Sequence, residues 1–171
     1  MASIIGVENL QHPNGTTAAT IDSSGRVLTP ARPVFRAYNA SSLYTQNYSS
    51  WTKFTNWAEQ YDVGGNFGSN KFTAPVSGYY QINATCRIDD DGGNWFGIRA
   101  YINGSGDFPS TSIAAPIAYF NEGASQLNTA QIHDLLYLSA NDYVEIYLRS
   151  GSDTSVSVPG QQTYWSMYLV G

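Results

Sequence analysis

The chain is short of charge. Only 12% of its 171 residues are Asp, Glu, Lys or Arg, against about 25% in an ordinary globular domain. The eight basic residues are scattered and the formal net charge is −5. A phosphate backbone needs clustered Lys and Arg, so this balance argues against nucleic acid as a partner. Cysteine occurs once, as Cys86, which rules out an intrachain disulfide framework. No run approaches the roughly 18 apolar residues of a spanning helix, and no membrane insertion is expected. The first residues, MASIIGVENLQHPNG, lack the basic start and apolar stretch of a secretion signal. Synthesis and assembly in a reducing cytoplasm are therefore expected. Strong helix formers are scarce as well, which weighs against a helical fold.

Ser, Thr, Asn, Gln and Gly fill the space, with aromatics at 14% led by 13 tyrosines. Such a balance suits strands joined by turns. The clearest strand is Tyr80–Ile88: Tyr80, Ile82, Ala84, Cys86 and Ile88 share one face, and Gln81, Asn83, Thr85 and Arg87 the other. Sustained period-two alternation marks a sheet with one buried face. Cys86 falls on that buried face and reads as a small core hydrophobe. Ile98, Ala100 and Ile102 alternate in the same way up to the turn Asn103-Gly104-Ser105-Gly106, as do Val144, Ile146 and Leu148. One short helical turn is expected around Asn56 to Gln60. In the last strand, Trp165, Met167 and Leu169 line one face while Tyr164, Tyr168 and Val170 line the other. A strand apolar on both faces is covered on both faces, so Tyr164, Tyr168 and Val170 are the candidate subunit interface. The fold expected is an all-β jelly-roll sandwich.

Residues 1–33 read differently from residues 34–171. Short apolar groups (Ile4, Ile5, Val7, Leu10, then Ile21, then Val27 and Leu28) are separated by Pro13-Asn14-Gly15 and Asp22-Ser23-Ser24-Gly25, and a Pro30-Ala31-Arg32-Pro33 connector follows. These pieces are too few to close a core. The segment is expected to be an extended arm that anchors the chain to an assembly, with Ile4, Ile5, Val7 and Leu10 as its grip.

Two resemblances add to this reading. Tyr61-Asp62-Val63-Gly64-Gly65-Asn66-Phe67, then Phe72-Thr73-Ala74-Pro75-Val76-Ser77-Gly78-Tyr79-Tyr80, then Asn141-Asp142-Tyr143-Val144 and Trp165-Ser166-Met167-Tyr168-Leu169-Val170 occur in that order. Together they resemble the globular-head family of complement component 1q, which shares the tumour-necrosis-factor jelly roll. The resemblance covers residues 34–171 and implies a TNF-like jelly roll forming a tight homotrimer. Asn141 and Met167 stand where that family has glycine, and Ile82 and Ala84 where it often has aromatics. The arm is similar to the start of short structural proteins of marine tailed phages, over about 30 residues. That likeness implies a virion structural protein, as capsid decoration, head fibre or fibre tip. Its partners would be other virion proteins through the arm and, at the tip, a host-surface glycan or protein.

Little in the sequence points to catalysis. His12 and His133 have no ligand-spaced partners, and no nucleophile elbow or phosphate loop is present. No enzyme and no cofactor are expected. Asp89-Asp90-Asp91-Gly92-Gly93-Asn94 reads as a solvated hairpin loop, with Asp89, Asp90 and Asp91 the candidate ligands should calcium bind. Five Asn-x-Ser/Thr triplets, at Asn14, Asn39, Asn47, Asn83 and Asn103, follow from composition alone. Trp95 and Phe96, with the polar stretch from Ser105 to Asn128, admit two readings. They either present a ligand surface that stacks on sugar rings or complete the core. The alternative to a virion protein is a non-viral lectin-like module.

Overall fold

The computed structural model describes residues 6–88, 95–107, 115–120, 128–151, 155–160 and 162–170. Its strands in chain order are β1 (Asn9–Gln11), β2 (Thr17–Ile21), β3 (Val27–Leu28), β4 (Val34–Asn39), β5 (Leu43–Asn47), β6 (Thr52–Lys53), β7 (Trp57–Val63) and β8 (Phe67–Gly68). They continue as β9 (Lys71–Thr73), β10 (Gly78–Ile88), β11 (Phe96–Ile102), β12 (Ile117–Phe120), β13 (Asn128–Leu138), β14 (Tyr143–Ser150), β15 (Ser155–Pro159) and β16 (Tyr164–Leu169). No helix occurs among the described residues. Two antiparallel sheets face each other, one in the order β13-β10-β16-β4-β7 and one in the order β12-β11-β14-β9-β8 with β6 on β14. A ribbon β15-β5 and a meander β1-β2-β3 complete the chain. This is the jelly-roll sandwich that the alternation implied.

Strand β10 is the spine of the first sheet, paired along its whole length with β13 and over six residues with β16. Its alternation decides which side faces in: Tyr80, Ile82, Ala84, Cys86 and Ile88 are buried against Ile98, Ala100 and Ile102 of β11 and Val144, Ile146 and Leu148 of β14. Trp165 lies in register between Ala84 of β10 and Ala37 of β4. The two alanines leave the width that an indole needs between strands. Its ring meets Phe35 edge-on at 4.6 Å, and Phe35 stacks between Phe67 at 4.9 Å and Phe72 at 5.0 Å. These rings tie β16 and β4 of one sheet to β8 and β9 of the other.

Turn chemistry follows the residues. Asn103 and Gly104 both have positive φ (53° and 78°), and Ile102 and Ser105 exchange backbone hydrogen bonds of 2.8 and 3.0 Å across them. This is a two-residue hairpin of the kind Asn-Gly favours. Asn141 adopts φ 72°, so asparagine takes the left-handed position there. Its backbone N–H donates to Ala74 O, and Ala74 N–H donates to Asp142 O, both at 2.8 Å. On the edge strand β13, Asp134 occupies a position opposite the inward-facing Ile82, yet its carboxylate stays exposed and accepts from Leu135 N at 2.8 Å.

Two expectations are corrected. Asn56 to Gln60 form no helical turn; from Trp57 onward the chain is strand β7, paired with β4. Arg36 pairs with Tyr61 and Ala37 with Glu59, so Gln60 is an extra residue. That bulge breaks the alternation and hides the strand, while Trp57 packs on Phe54 at 4.5 Å. Nor is the described part of residues 1–33 an extended arm. It folds back twice, at the two turn sequences named above, into the three-stranded meander. At the second turn, Asp22 Oδ1 accepts from Arg26 N and Ser24 N at 2.9 Å and Oδ2 pairs with Arg26 Nε at 2.7 Å. These bonds, those from Arg26 foremost, hold the Asp22 carboxyl below its ordinary pKa. A cleft of about 430 Å³ separates the meander from the sandwich, lined by Ala18, Arg32 and Pro33 on one side and Val63, Val76 and Leu169 on the other.

Two substitutions test this account by urea unfolding. Trp165→Ala should cost about 3–5 kcal/mol, because neither flanking alanine can fill the gap. Asn141→Val should cost about 1–2 kcal/mol through the positive φ, whereas Asn141→Gly should be near neutral.

Candidate functional site

The face of the five-stranded sheet that turns away from the core carries a group of exposed tyrosines and aliphatics. Register sets its contents row by row. Val63, Val34, Tyr168, Gln81 and Leu135 lie across the five strands in one row. The next row reads Tyr61, Arg36, Ser166, Asn83 and His133, and the one after it contains Tyr38, Tyr164, Thr85 and Gln131. Beyond the first row stand Tyr79 and Tyr137, paired in register with rings 5.3 Å apart, and Val170, whose N–H donates to Tyr79 O at 2.7 Å. One end of the face is therefore apolar and aromatic. Its middle is polar and its far end carries tyrosines.

The apolar end is open. Tyr79, Leu135 and Tyr137 are each at least half exposed, and Tyr168, Val170 and Val63 are more than a third exposed. The middle row is internally satisfied: His133 Nδ1 lies 2.9 Å from Asn83 Oδ1, Arg36 hydrogen-bonds Gln60, and the Arg36 guanidinium sits 4.7 Å from the Tyr164 ring centre. Tyr164, Tyr168 and Val170, the candidate interface residues, all belong to this face, with Tyr164 half-buried under Arg36 and the other two exposed. Sequence reading missed Tyr79, Leu135 and Tyr137. In β13 the inward Asp134 and outward Leu135 invert the expected polarity, so the alternation that would expose this strand fails in its middle.

The other candidates fall elsewhere. Phe96 is not a ligand-surface residue: it opens β11 on the inward parity of Ile98 and Ala100, and only 1% of it is exposed. Trp95, one residue earlier, is half-buried on the opposite side of the sandwich from the tyrosine face. There its ring meets Tyr119 at 5.5 Å and the Arg149 guanidinium at 5.3 Å. Val7 and Leu10 are exposed on the meander with Ile21 and Val27. Leu10 pairs with Ala19 and Ile21 with Val27, so Leu10, Ile21 and Val27 share one exposed face. Ile4, Ile5, Asp89, Asp90 and Asp91 lie outside the described residues. Among the described residues no group of three or more His, Cys, Asp or Glu side chains gathers at metal-binding distance.

Titratable groups in the interior are structural. Burial pushes the Cys86 thiol up to about 12, against the lowering influence of a hydrogen bond from Thr163. Burial, then the neighbouring Glu145 carboxylate, raises Tyr147 above its ordinary value. Glu145 is itself buried and paired with Lys53 at 2.6 Å. Asn39, within one of the Asn-x-Ser/Thr triplets, is buried and donates to Val158 O at 2.8 Å, so its amide is closed to glycosylation.

No family model matches the chain, and no curated protein matches it. Solved structures do. The chain is similar to the Eiger TNF of S. frugiperda (TM-score 0.63, 9% identity, 82% of this chain and 94% of that one covered). It is also similar to the globular domain of zebrafish complement 1qA (TM-score 0.58, 16% identity, 82% and 98% covered). A third likeness is to murine APRIL (TM-score 0.60, 11% identity, 81% and 99% covered). The jelly roll is thus that of the TNF and complement 1q globular domains.

Cys86 supplies a check on this interior. In the native protein at pH 8 it should resist alkylation by iodoacetamide, because burial keeps it protonated and shielded. Full modification should appear only in denaturant, as read by mass spectrometry.

Proposed function

We propose that this chain is a non-enzymatic structural protein of a tailed-phage virion, in which three copies of the jelly roll associate and the meander fixes them to the particle. The observation that carries the proposal is the outer face of the five-stranded sheet, which places Tyr79, Val170, Tyr137, Leu135 and Tyr168 side by side and open to water. Contiguous exposed apolar surface of this kind marks an association site, and tyrosine serves such sites with large area and a polar tip. The threefold number rests on the resemblance of residues 34–171 to the complement 1q head.

The meander adds a second argument. Three short strands with an apolar face need a covering layer to be stable in water. Leu10, Ile21 and Val27 stand exposed on that face. A neighbouring virion protein is the layer the phage resemblance suggests. Display as capsid decoration or head fibre then draws its stability from many weak contacts acting by mass action, and display as a fibre tip would add host contact. A non-viral lectin-like module is the second reading, favoured by the aromatic group around Trp95 and Tyr119 on the opposite side of the sandwich.

Sedimentation equilibrium of the isolated protein should give three times the chain mass of 18.7 kDa. Leu135→Glu, a substitution on an exposed position, should shift the protein to monomers while leaving the fold intact. A monomeric wild type would refute the assembly. In purified virions, mass spectrometry should find the chain, with hundreds of copies for decoration and at most tens for a tip; its absence would refute the virion assignment.

A further inference from the structure

The outward side of the six-stranded sheet, far from the tyrosine face, carries a group of three rings built around two glycines. Gly97 of β11 pairs with Arg149 of β14 and with Tyr119 of β12. A Cβ at Gly97 would lie 2.9 Å from Trp51 Cη2 and 3.0 Å from Tyr119 Cδ1, so only glycine lets those two rings approach over the strand from opposite sides. Gly151, just past β14, does the same for Trp95: its N–H donates to Trp95 O at 2.8 Å, and a Cβ there would meet Trp95 Nε1 at 2.5 Å. Trp51 and Tyr119 have ring centres 6.0 Å apart, and Trp95 and Tyr119 5.5 Å.

These rings do not seal the core. They lie on the solvent side of a strand whose other side is already filled by Phe96 and Ile98, and Tyr119 is 59% exposed. Arg149 lays its guanidinium 5.3 Å from the Trp95 ring centre. A half-buried guanidinium held against an indole places positive charge beside the rings, in a chain of net charge −5. Three rings are too small an area for a stable protein interface, but they match one or two sugar units. Sugars present flat C–H faces to aromatics and hydroxyls to polar neighbours.

We propose that Trp51, Trp95 and Tyr119, with Arg149, form a binding site for an acidic saccharide. The C–H face of a pyranose stacks on the exposed Tyr119 ring, with Trp51 and Trp95 inclined to it at 57° and 72° as flanking walls, and the carboxylate of a uronic acid meets Arg149. The proposal deepens the reading of the chain as a displayed binding module and rests on it only for its biological use. On the side of the sandwich away from the tyrosine face, the site stays open when that face is occupied.

The test is calorimetric titration of the full chain with oligogalacturonate and, separately, with neutral malto-oligosaccharide of the same length. Oligogalacturonate should bind and the neutral sugar should bind about tenfold more weakly or not at all. Tyr119→Ala removes an exposed ring, leaves the core untouched and should weaken binding about tenfold. Arg149→Gln should bring the acidic sugar down to the neutral level. Gly97→Ala should weaken binding by parting the rings while every contacting side chain is kept. Absence of binding to both sugars, or unchanged affinity in Tyr119→Ala and Arg149→Gln, overturns the proposal. Sedimentation of the same samples separates the two failures. A trimer that binds no sugar removes this site and leaves the assembly standing; a monomer that binds sugar does the reverse.

Discussion

Trp165 and the phenylalanines beside it set the spacing of the two sheets, and the rest of the sandwich conforms to that spacing. The indole fits because the strands on either side of it offer alanine at the same level, Ala84 and Ala37. It reaches the second sheet through Phe35, which lies stacked between Phe67 and Phe72. Each such ring pair contributes about 0.5–1.5 kcal/mol beyond simple burial. The aliphatic half of the core, from Ile82 to Ile98 and Ile146, then fills a gap whose width is already fixed. A chain with so few charged residues has little else with which to hold two sheets in register.

The sandwich was legible where one face is simply wet and the other simply dry. Strand β10 shows this best: every second residue from Tyr80 to Ile88 is buried, as alternation alone implies. Legibility failed where one local feature interrupted the period. The extra residue at Gln60 made a strand read as a turn of helix, and Asp134 beside Leu135 hid the tyrosine edge of β13. At Phe96 the ambiguity was of phase: Trp95 and Phe96 are adjacent, and only the register of β11 decides which of them enters the core. Trp51 and Tyr119 were beyond sequence reading altogether. They are 68 residues apart, counting from 51 to 119, and meet only because Gly97 lies between them.

The two outward faces divide the surface by chemistry. The five-stranded sheet presents tyrosines and aliphatics in rows, broad and nearly uncharged, with its polar groups already bonded to one another. The six-stranded sheet presents paired charges, Lys53 with Glu145 and Arg99 with Asp107, around a small aromatic centre. Broad apolar area suits a permanent contact, and a small ringed centre among charges suits a soluble partner that comes and goes. The short connector Pro30–Pro33 reaches the sandwich at the apolar end of the tyrosine face, where Leu169 N–H donates to Pro33 O at 3.0 Å. The meander and the open apolar rows thus lie at one pole of the molecule.

Asp134 has a consequence for growth. Strand β13 is long and lies at the border of its sheet, and among the described residues no strand pairs with its outer row of backbone donors and acceptors. A strand from another copy that zipped onto this border would have to enclose a carboxylate at the level of Ile82, and enclosing an unpaired charge costs several kcal/mol, roughly the whole gain from a few ladder bonds. The carboxylate thus guards this border against the addition of another strand, and the sheet ends at β13 instead of growing into a continuous ribbon.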